Sequence, residues 1–254
     1  MKSETKKRIA LVLIALAALL LTGCVGSEGF QAPGVTLTVG SAEDPEQVST
    51  GIQLLVLLTV LSLAPAILIL ATSFTRIVIV LSMVRSAIGT PTIPPNQVVV
   101  GLALLLTFFI MTPVYQEVNA QAIEPYLAGE MDQEKAVETA VAPVRNFMFS
   151  QVREEDLELF MGLDGQERPE TLDDIPTVVL LPAFVISELR AAFIMGFALY
   201  VPFLVIDLII SSILLAMGMM MLPPSLISLP FKVLLFIMVD GWYLLTRSLA
   251  MSFF

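Results

Sequence analysis

The sequence predicts an all-α membrane-associated protein, in which long kinked helices form helical hairpins and carry an acidic extracytoplasmic helical insert. Apolar residues make up 57 % of the 254 residues, and the mean hydropathy of +0.89 is typical of a membrane protein. These residues are gathered in blocks of helical length that are separated or interrupted by prolines. One strongly acidic stretch, residues 117–174, divides the blocks into an N-terminal and a C-terminal set.

The first segment has the pattern of a cleaved signal peptide. Basic residues precede the apolar run Ile9–Leu21, which is too short to span a bilayer comfortably. We therefore predict that residues 1–23 are removed and that the new N-terminus lies outside the cytoplasm. The run ends in Leu21-Thr-Gly-Cys24, which resembles a bacterial lipobox, so Cys24 is a candidate for lipidation. Cleavage near Gly26 without lipidation is the alternative.

The composition argues against several classes of function. The chain has no histidine and one cysteine, which excludes a Cys/His zinc site, a His-dependent triad and an intrachain disulfide. A net charge of −10 does not fit a nucleic-acid-binding protein. No cofactor, no metal and no enzymatic activity are predicted.

The N-terminal half predicts an exposed linker over residues 24–51 and a helical hairpin over residues 52–117. The apolar block Ile52–Val84 is longer than a hydrocarbon core of ~30 Å requires, so we expect a kink at Pro65 or a helix that extends past the membrane. The second helix is predicted over Val98–Tyr115. Asn96 is its expected N-cap, and it is expected to end near Pro113.

Residues 118–177 are predicted to form an acidic extracytoplasmic segment. Between Glu117 and Asp174 fifteen acidic residues face four basic ones. The acidity is typical of a solvated surface, and it fits a location outside the cytoplasm because basic residues are the ones retained inside. Within the segment, Met131–Arg153 has helical spacing with one apolar stripe. Gly162–Pro169 is interpreted as a mobile loop.

Residues 178–254 are predicted to form C-terminal helical hairpins with a Met-rich loop. Pro202 and the prolines near residue 224 separate three apolar runs. Hydropathy alone gives four or five spans in the whole chain, depending on whether Pro202 is a kink or a turn. The runs are Thr177–Tyr200, Phe203–Met221 and Phe231–Phe254.

Ionisable residues inside these apolar runs are the first candidates for function. Each costs roughly 2.5–3.5 kcal/mol at membrane depth even on the lenient insertion scale, so each must face protein or water. We single out Glu188 and Lys232 as an ion pair, formed either within one chain or between chains, and a Lys232 that snorkels to the membrane interface is the alternative. Asp207 is expected to find a local partner in Ser211, one helical turn later. The ionisable residues concerned are Glu188, Arg190, Asp207, Lys232 and Asp240.

A cluster of methionines between residues 217 and 221 is the second candidate. Methionine is unbranched and flexible, so it can seal an irregular gap and still give way. The consecutive residues Met219, Met220 and Met221 cannot share one helix face, because successive positions differ by ~100°. Some of them must therefore face a loop or a shared lumen, although a single methionine would fit core packing equally well.

Several ordered strings together resemble a known family. They are Thr72-Ser-Phe-Thr-Arg76-Ile, Gly89-Thr-Pro with Pro94-Pro-Asn-Gln97, Gly101-Leu-Ala-Leu with Thr107-Phe-Phe-Ile-Met, Leu181-Pro-Ala-Phe with Ser187-Glu188-Leu, Pro202-Phe-Leu with Ile206-Asp207-Leu, Met217-Gly-Met-Met-Met221 with Pro223-Pro, and Pro230-Phe-Lys232 with Asp240-Gly-Trp. Over roughly residues 52–253 the chain resembles the FliP family, the P subunit of the flagellar type III protein export gate, which is related to the R subunit of virulence injectisomes.

The resemblance implies a homo-oligomer of about five copies that assembles with the Q and R subunits and FlhB and exports flagellar proteins. It implies a place in the flagellar basal body, in the bacterial inner membrane and on its periplasmic side, with lipid as a further contact and no nucleic acid. It also implies that Glu188 and Lys232 bridge neighbouring subunits and that Met219, Met220 and Met221 form a gasket around the closed pore.

The expected function is therefore that of a pore-forming subunit for export of unfolded substrates. An ion-coupled secondary transporter that uses Glu188, Asp207 and Lys232 is the alternative. It predicts a monomer or a small oligomer. A membrane-anchored binding protein that acts through the acidic segment is a further alternative, and deletion of that segment alone would then abolish its function.

Overall fold

The computed structural model describes residues 31–32, 35–36, 45–164, 171–219 and 221–254. The chain divides into two compact units, residues 1–60 and 61–254. A short antiparallel ribbon in the first unit pairs Gln31 with Thr36 and Ala32 with Val35. Everything else that is regular in the described residues is helical. The signal-peptide prediction and Cys24 lie outside those residues, as does most of the predicted loop Gly162–Pro169.

The α-helices are numbered in chain order. They are α1 Pro45–Leu70, α2 Phe74–Ile88, α3 Asn96–Val118, α4 Glu124–Leu127, α5 Gln133–Gln151, α6 Glu154–Asp164, α7 Thr177–Ala216, α8 Pro224–Met238 and α9 Gly241–Met251. A π-helical turn, Asn119–Ile123, joins α3 to α4, and a 3-10 turn, Leu172–Asp174, precedes α7. The predicted all-helical class is confirmed.

The prolines interrupt fewer helices than the sequence predicts. Helix α1 passes through Pro65 and ends at Leu70, and the short break 71–73 separates it from α2. Helix α3 passes through Pro113, so the prediction that it ends there is wrong. Helix α7 passes through both Pro182 and Pro202, which merges two predicted apolar runs into one 40-residue helix. Neighbouring helices can satisfy the backbone groups that an internal proline releases.

The start of α3 also differs from the prediction. The cap position is Pro95, and Asn96 is the first helical residue. The Asn96 side chain is used elsewhere, since its Oδ1 accepts a hydrogen bond from Arg85 Nη1 at 2.6 Å. This bond closes the α2–α3 connection, where Gly89 ends α2 with φ +90°. Helices α2 and α3 pack against each other on either side of this connection.

Two helical segments among the described residues are long and apolar enough to cross a membrane, Asn96–Leu127 and Thr177–Ala216. The bent pair α8–α9, with an angle of 64° between its helices, makes a third if it counts as one span. This is fewer than the four or five that hydropathy gives, because α7 is continuous and because the block Ile52–Val84 is divided between α1 and α2. At ~1.5 Å per residue α7 is about 60 Å long, roughly twice the hydrocarbon thickness.

Two apolar clusters hold the helices of residues 61–254 together. The larger one joins α2, α3 and α7 to the C-terminal helices, around Ile77, Ala103 and Leu249. The smaller one packs α5 and α6 against the first half of α7, around Met148, Leu157 and Phe184. Of the apolar stripe predicted for α5, Met148 is buried, whereas Val137 remains exposed. Helix α5 thus packs on α7 with its C-terminal half, and α6 packs on α7 with its apolar residues.

Candidate functional site

A buried ion pair joins α2 to α7. Arg76 lies in the first turn of α2, just after the break 71–73, and Glu188 lies in the first half of α7. Arg76 Nε donates to Glu188 Oε2 at 2.9 Å, and Arg76 Nη2 donates to Glu188 Oε1. The exposed fractions of the two side chains are 5 % and 0 %. A bidentate geometry of this kind gives a strong, directional charge-assisted contact.

The same guanidinium also forms hydrogen bonds with the C-terminal segment after α9 and with the end of α5. Arg76 Nη1 donates to the carbonyl oxygen of Ser252 at 2.8 Å and to its Oγ at 3.0 Å. Arg76 Nη2 donates to Gln151 Oε1 at 3.1 Å, at the end of α5. An arginine has five N–H donors, and the five hydrogen bonds to Glu188, Ser252 and Gln151 match that number. The guanidinium also lies 3.9 Å from the ring centroid of Phe253.

Ser187, the residue before Glu188, forms hydrogen bonds with the start of α6. Ser187 Oγ accepts a hydrogen bond from the backbone N–H of Arg153 at 3.0 Å and donates to Asp156 Oδ2 at 2.7 Å. Consecutive residues of α7 therefore bind the start of α6 and the start of α2. We call the group Arg76, Gln151, Ser187, Glu188, Ser252 and Phe253 the arginine hub.

A second ion pair joins α7 to α8. Lys232 Nζ donates to Asp207 Oδ2 at 2.6 Å and to the carbonyl oxygen of Ala87 at 3.2 Å. Ser228 Oγ donates to the other carboxylate oxygen of Asp207 at 2.5 Å. The lysine side chain is 6 % exposed, whereas that of Asp207 is 34 % exposed. This pair is therefore open on its acidic side.

The structure separates the two residues that the sequence pairs. Within one chain Glu188 is bound to Arg76, and Lys232 is bound to Asp207. The prediction that Ser211 satisfies Asp207 is wrong, because the partners of Asp207 come from α8. An isolated chain does not test a contact between copies, so an inter-subunit Glu188–Lys232 pair stays a prediction.

Sequence reasoning missed Arg76 as the partner of Glu188. The signal was present, because Arg76 stands deep in an apolar block and a cation there needs an anion. The two residues are 112 positions apart, and only the packing of α2 on α7 brings them together. The other singled-out charges, Arg190 and Asp240, are exposed in the chain.

The methionine cluster forms the turn between α7 and α8. Met217 caps the end of α7, and Gly218 follows with φ +74°, a left-handed conformation that favours glycine. Met219 and Met221 are 39 % and 98 % exposed. Met220 lies outside the residues that the structure describes. The cluster thus stands at the end of the longest helix and outside the apolar core.

Much of the apolar helical surface has no partner within the chain. In the most apolar 18-residue window of α7, 11 % of the residues are buried, and in that of α3 and α4 the share is 28 %. Exposed side chains of this kind require either lipid or other protein chains as neighbours. Taken with the buried ion pairs, this defines an all-helical membrane-type protein that buries Arg76, Glu188 and Lys232 and leaves much of its apolar surface outside.

Comparison with known proteins identifies the family. The model of the FliP family matches residues 57–249. A protein of Bacillus subtilis (strain 168) is 52 % identical over 217 residues, which are 85 % of this chain and 98 % of the relative. A protein of Aquifex aeolicus (strain VF5) is 45 % identical over 241 residues, which are 92 % of this chain and 98 % of the relative. Both are named Flagellar biosynthetic protein FliP. The chain belongs to the FliP family.

Proposed function

We propose that the chain is a pore-forming subunit of the flagellar type III protein export gate. About five copies would assemble with the Q and R subunits and FlhB, in the inner membrane and on its periplasmic side, and would export unfolded flagellar proteins. Membership of the family and the flagellar names of its relatives support the flagellar role. The role is that of a conduit, and the residues of the pore would perform no catalysis.

The observation that carries the proposal is the distribution of charge and apolar surface along α7. Its buried acid is neutralised within the chain by Arg76, while most of its apolar residues remain uncovered. Helix α7 is also too long to lie wholly within a hydrocarbon core. Neighbouring copies that pack along α7 would cover the part that lipid cannot reach.

The methionine turn supplies the proposed gasket. Met219 and Met221 are exposed in the single chain, so they are free to meet the same residues of other copies around an axis. Methionine side chains are soft and apolar, and a ring of them can exclude water and ions without any specific chemistry. Met220 completes the proposed collar by its position in the sequence.

We also propose that Glu188 of one copy and Lys232 of the next lie close across the subunit interface. Each already has a partner within its own chain and is nearly enclosed there, so contact between copies would require these side chains to rearrange and would join the two ion pairs into one network. The four charges of Arg76, Glu188, Asp207 and Lys232 add to zero. Burial of the whole network in an interface would therefore leave no net charge uncompensated.

The oligomer is the first test. The full chain would be purified in detergent, alone and with its co-expressed genomic neighbours, and weighed by native mass spectrometry. Lys232→Gln would be compared with Lys135→Gln, which removes the same charge from the exposed face of α5. We expect a multimer near five copies that Lys232→Gln weakens and Lys135→Gln leaves intact. A stable monomer in all samples would contradict the pore and favour the ion-coupled transporter.

The gasket is tested by conductance. Replacement of Met219, Met220 and Met221 by alanine should raise the leakage of small ions through the reconstituted assembly, while its mass stays the same. Met251→Ala, which removes an exposed methionine from α9, is the matched control and should leave leakage unchanged. Equal conductance of the triple variant and the unaltered protein would rule out a methionine gasket.

A further inference from the structure

An apolar cavity of about 250 Å³ lies between α2, α7, α8 and α9. Its lining includes Leu199 and Phe203 of α7, Phe236 of α8 and Leu245 of α9, and no polar side chain contributes to it. Phe203 and Leu245 are buried, whereas Val239 and Leu244 are 46 % and 44 % exposed. The cavity therefore has a closed apolar floor and a mouth at the α8–α9 bend.

The bend holds the cavity open. Asp240 stands between α8 and α9 with φ +51°, a left-handed conformation that, apart from glycine, asparagine and aspartate tolerate best. At Gly241 an added Cβ would lie 2.3 Å from the ring of Phe236, so only glycine fits this position. The Phe236 ring is fixed in turn by edge-on contact with Trp242, at a centroid distance of 5.4 Å. The ring cannot move into the cavity without losing this contact.

The cavity suits a hydrocarbon. Apolar cavities in proteins stay dry, and one of about 150 Å³ lined by similar side chains is large enough for benzene. A cavity of about 250 Å³ is therefore large enough for a stretch of acyl chain. The open mouth would let the rest of the molecule continue along the exposed apolar surface of α9.

Two charged residues adjoin residues of the mouth along the chain. Asp240 directly follows the mouth residue Val239, and its side chain does not cap α9. Arg247 lies one helical turn after Leu244, and a helical side chain leans back toward the preceding turn. Both residues are exposed, and among the described residues neither forms an ion pair or a side-chain hydrogen bond. An unpaired cation on an apolar helix requires an anion or water.

We propose that this cavity binds one phospholipid with a primary ammonium in its headgroup, as in phosphatidylethanolamine. One acyl chain would occupy the cavity, Arg247 would bind the phosphate, and Asp240 would bind the ammonium. An acid and a base next to an apolar opening match the two opposite charges of a zwitterionic headgroup. Arginine binds a phosphate oxygen pair in a bidentate manner, which glutamine in its place would not reproduce.

Native mass spectrometry of the full chain in detergent tests the proposal. The protein would be titrated with phosphatidylethanolamine, phosphatidylcholine and phosphatidylglycerol of the same acyl chains. We expect one retained phosphatidylethanolamine per chain, bound about tenfold more tightly than the other two lipids. Equal retention of all three lipids, or of none, would overturn the proposal.

Separate variants test the binding of the acyl chain in the cavity and the binding of the headgroup by Arg247 and Asp240. Leu199→Phe fills the cavity and should abolish the retained lipid, whereas Leu208→Phe enlarges an exposed residue of the same helix and should not. Arg247→Gln should weaken binding of each phosphate lipid about tenfold, and Lys135→Gln is its charge-matched control. Asp240→Asn keeps a residue that tolerates positive φ and should remove only the preference for ethanolamine over choline.

A second measurement remains valid if Leu199→Phe folds poorly. Trp242 is the only tryptophan of the chain and contacts Phe236, which lines the cavity. Brominated phosphatidylethanolamine should quench its fluorescence at lower lipid fractions than brominated phosphatidylcholine, and Asp240→Asn should remove the difference. Identical quenching curves would contradict the site. Loss of the retained lipid on oligomerisation would also contradict it, because a second copy would then occupy the cavity.

Discussion

The two buried ion pairs differ in how completely the chain encloses them. Arg76 and Glu188 are 5 % and 0 % exposed, and every donor of the guanidinium has an acceptor. In the second pair Lys232 is 6 % exposed, but Asp207 is 34 % exposed and can meet a partner from outside. A closed pair of this kind fixes helices within one chain. An open pair can also take part in assembly, so the two should respond differently to substitution.

Removal of Glu188 should have the largest effect. Glu188→Ala leaves a buried guanidinium without its counter-ion, and breaking a buried pair in this way costs about 3 to 5 kcal/mol. The free energy of unfolding in an SDS titration would measure it. Glu130→Ala, on the exposed acidic face, should change that free energy little. If both variants were equally stable, the arginine hub would not be the internal tie that its geometry indicates.

Arg76→Lys should have the next largest effect. A lysine keeps the charge but offers a single compact donor group, so it cannot bind Glu188 in a bidentate manner and also reach Ser252 and Gln151. The loss of several charge-assisted bonds should cost about 2 to 3 kcal/mol. Because Ser252 and Gln151 are contacts of the hub, proteolysis should also cut the C-terminus faster in this variant. A protein as stable and as protected as the parent would show that charge alone suffices.

The open pair should give a smaller and asymmetric response. Asp207→Asn leaves the buried Lys232 with only the Ala87 carbonyl and a neutral amide, at a cost of about 2 kcal/mol. Lys232→Met leaves an acid that is partly exposed and still bound to Ser228, at a cost of about 1 kcal/mol. The same SDS titration would measure the loss in the free energy of unfolding for both variants and show which loss is larger. A larger loss for Lys232→Met would mean that Asp207 is more enclosed than its exposure indicates.

The methionine turn should have the smallest effect on stability. Met221 is 98 % exposed, so Met221→Ala should change the free energy of unfolding of the single chain by less than about 0.5 kcal/mol. A buried methionine such as Met111, at 1 % exposure, is the matched contrast, and its replacement by alanine should cost about 2 to 5 kcal/mol. Equal losses at the two positions would place Met221 in a packed core and remove the argument for a gasket.

Sequence reasoning predicted the helical class because apolar blocks of helical length are local patterns. It failed at Pro113, where α3 continues through the proline, and it left open whether Pro202 is a kink or a turn, which α7 decides by continuing through it. Local preference alone favours a break at such positions, and the packing of neighbouring helices overrides it. The cap at Asn96 failed for a related reason, since the side chain that could cap α3 is held by Arg85.

The charged residues show the same limit. Composition and hydropathy are sufficient to mark Glu188, Asp207 and Lys232 as groups that need partners, because an isolated charge in an apolar setting is costly. Which partner each one finds depends on how α2, α7 and α8 pack, and residues 112 positions apart leave no local trace of that choice. The sequence by itself therefore determined the fold class, the family and the need for neutralisation. The tertiary structure decided the pairing, because the direction and distance of a side chain are set only when helices meet.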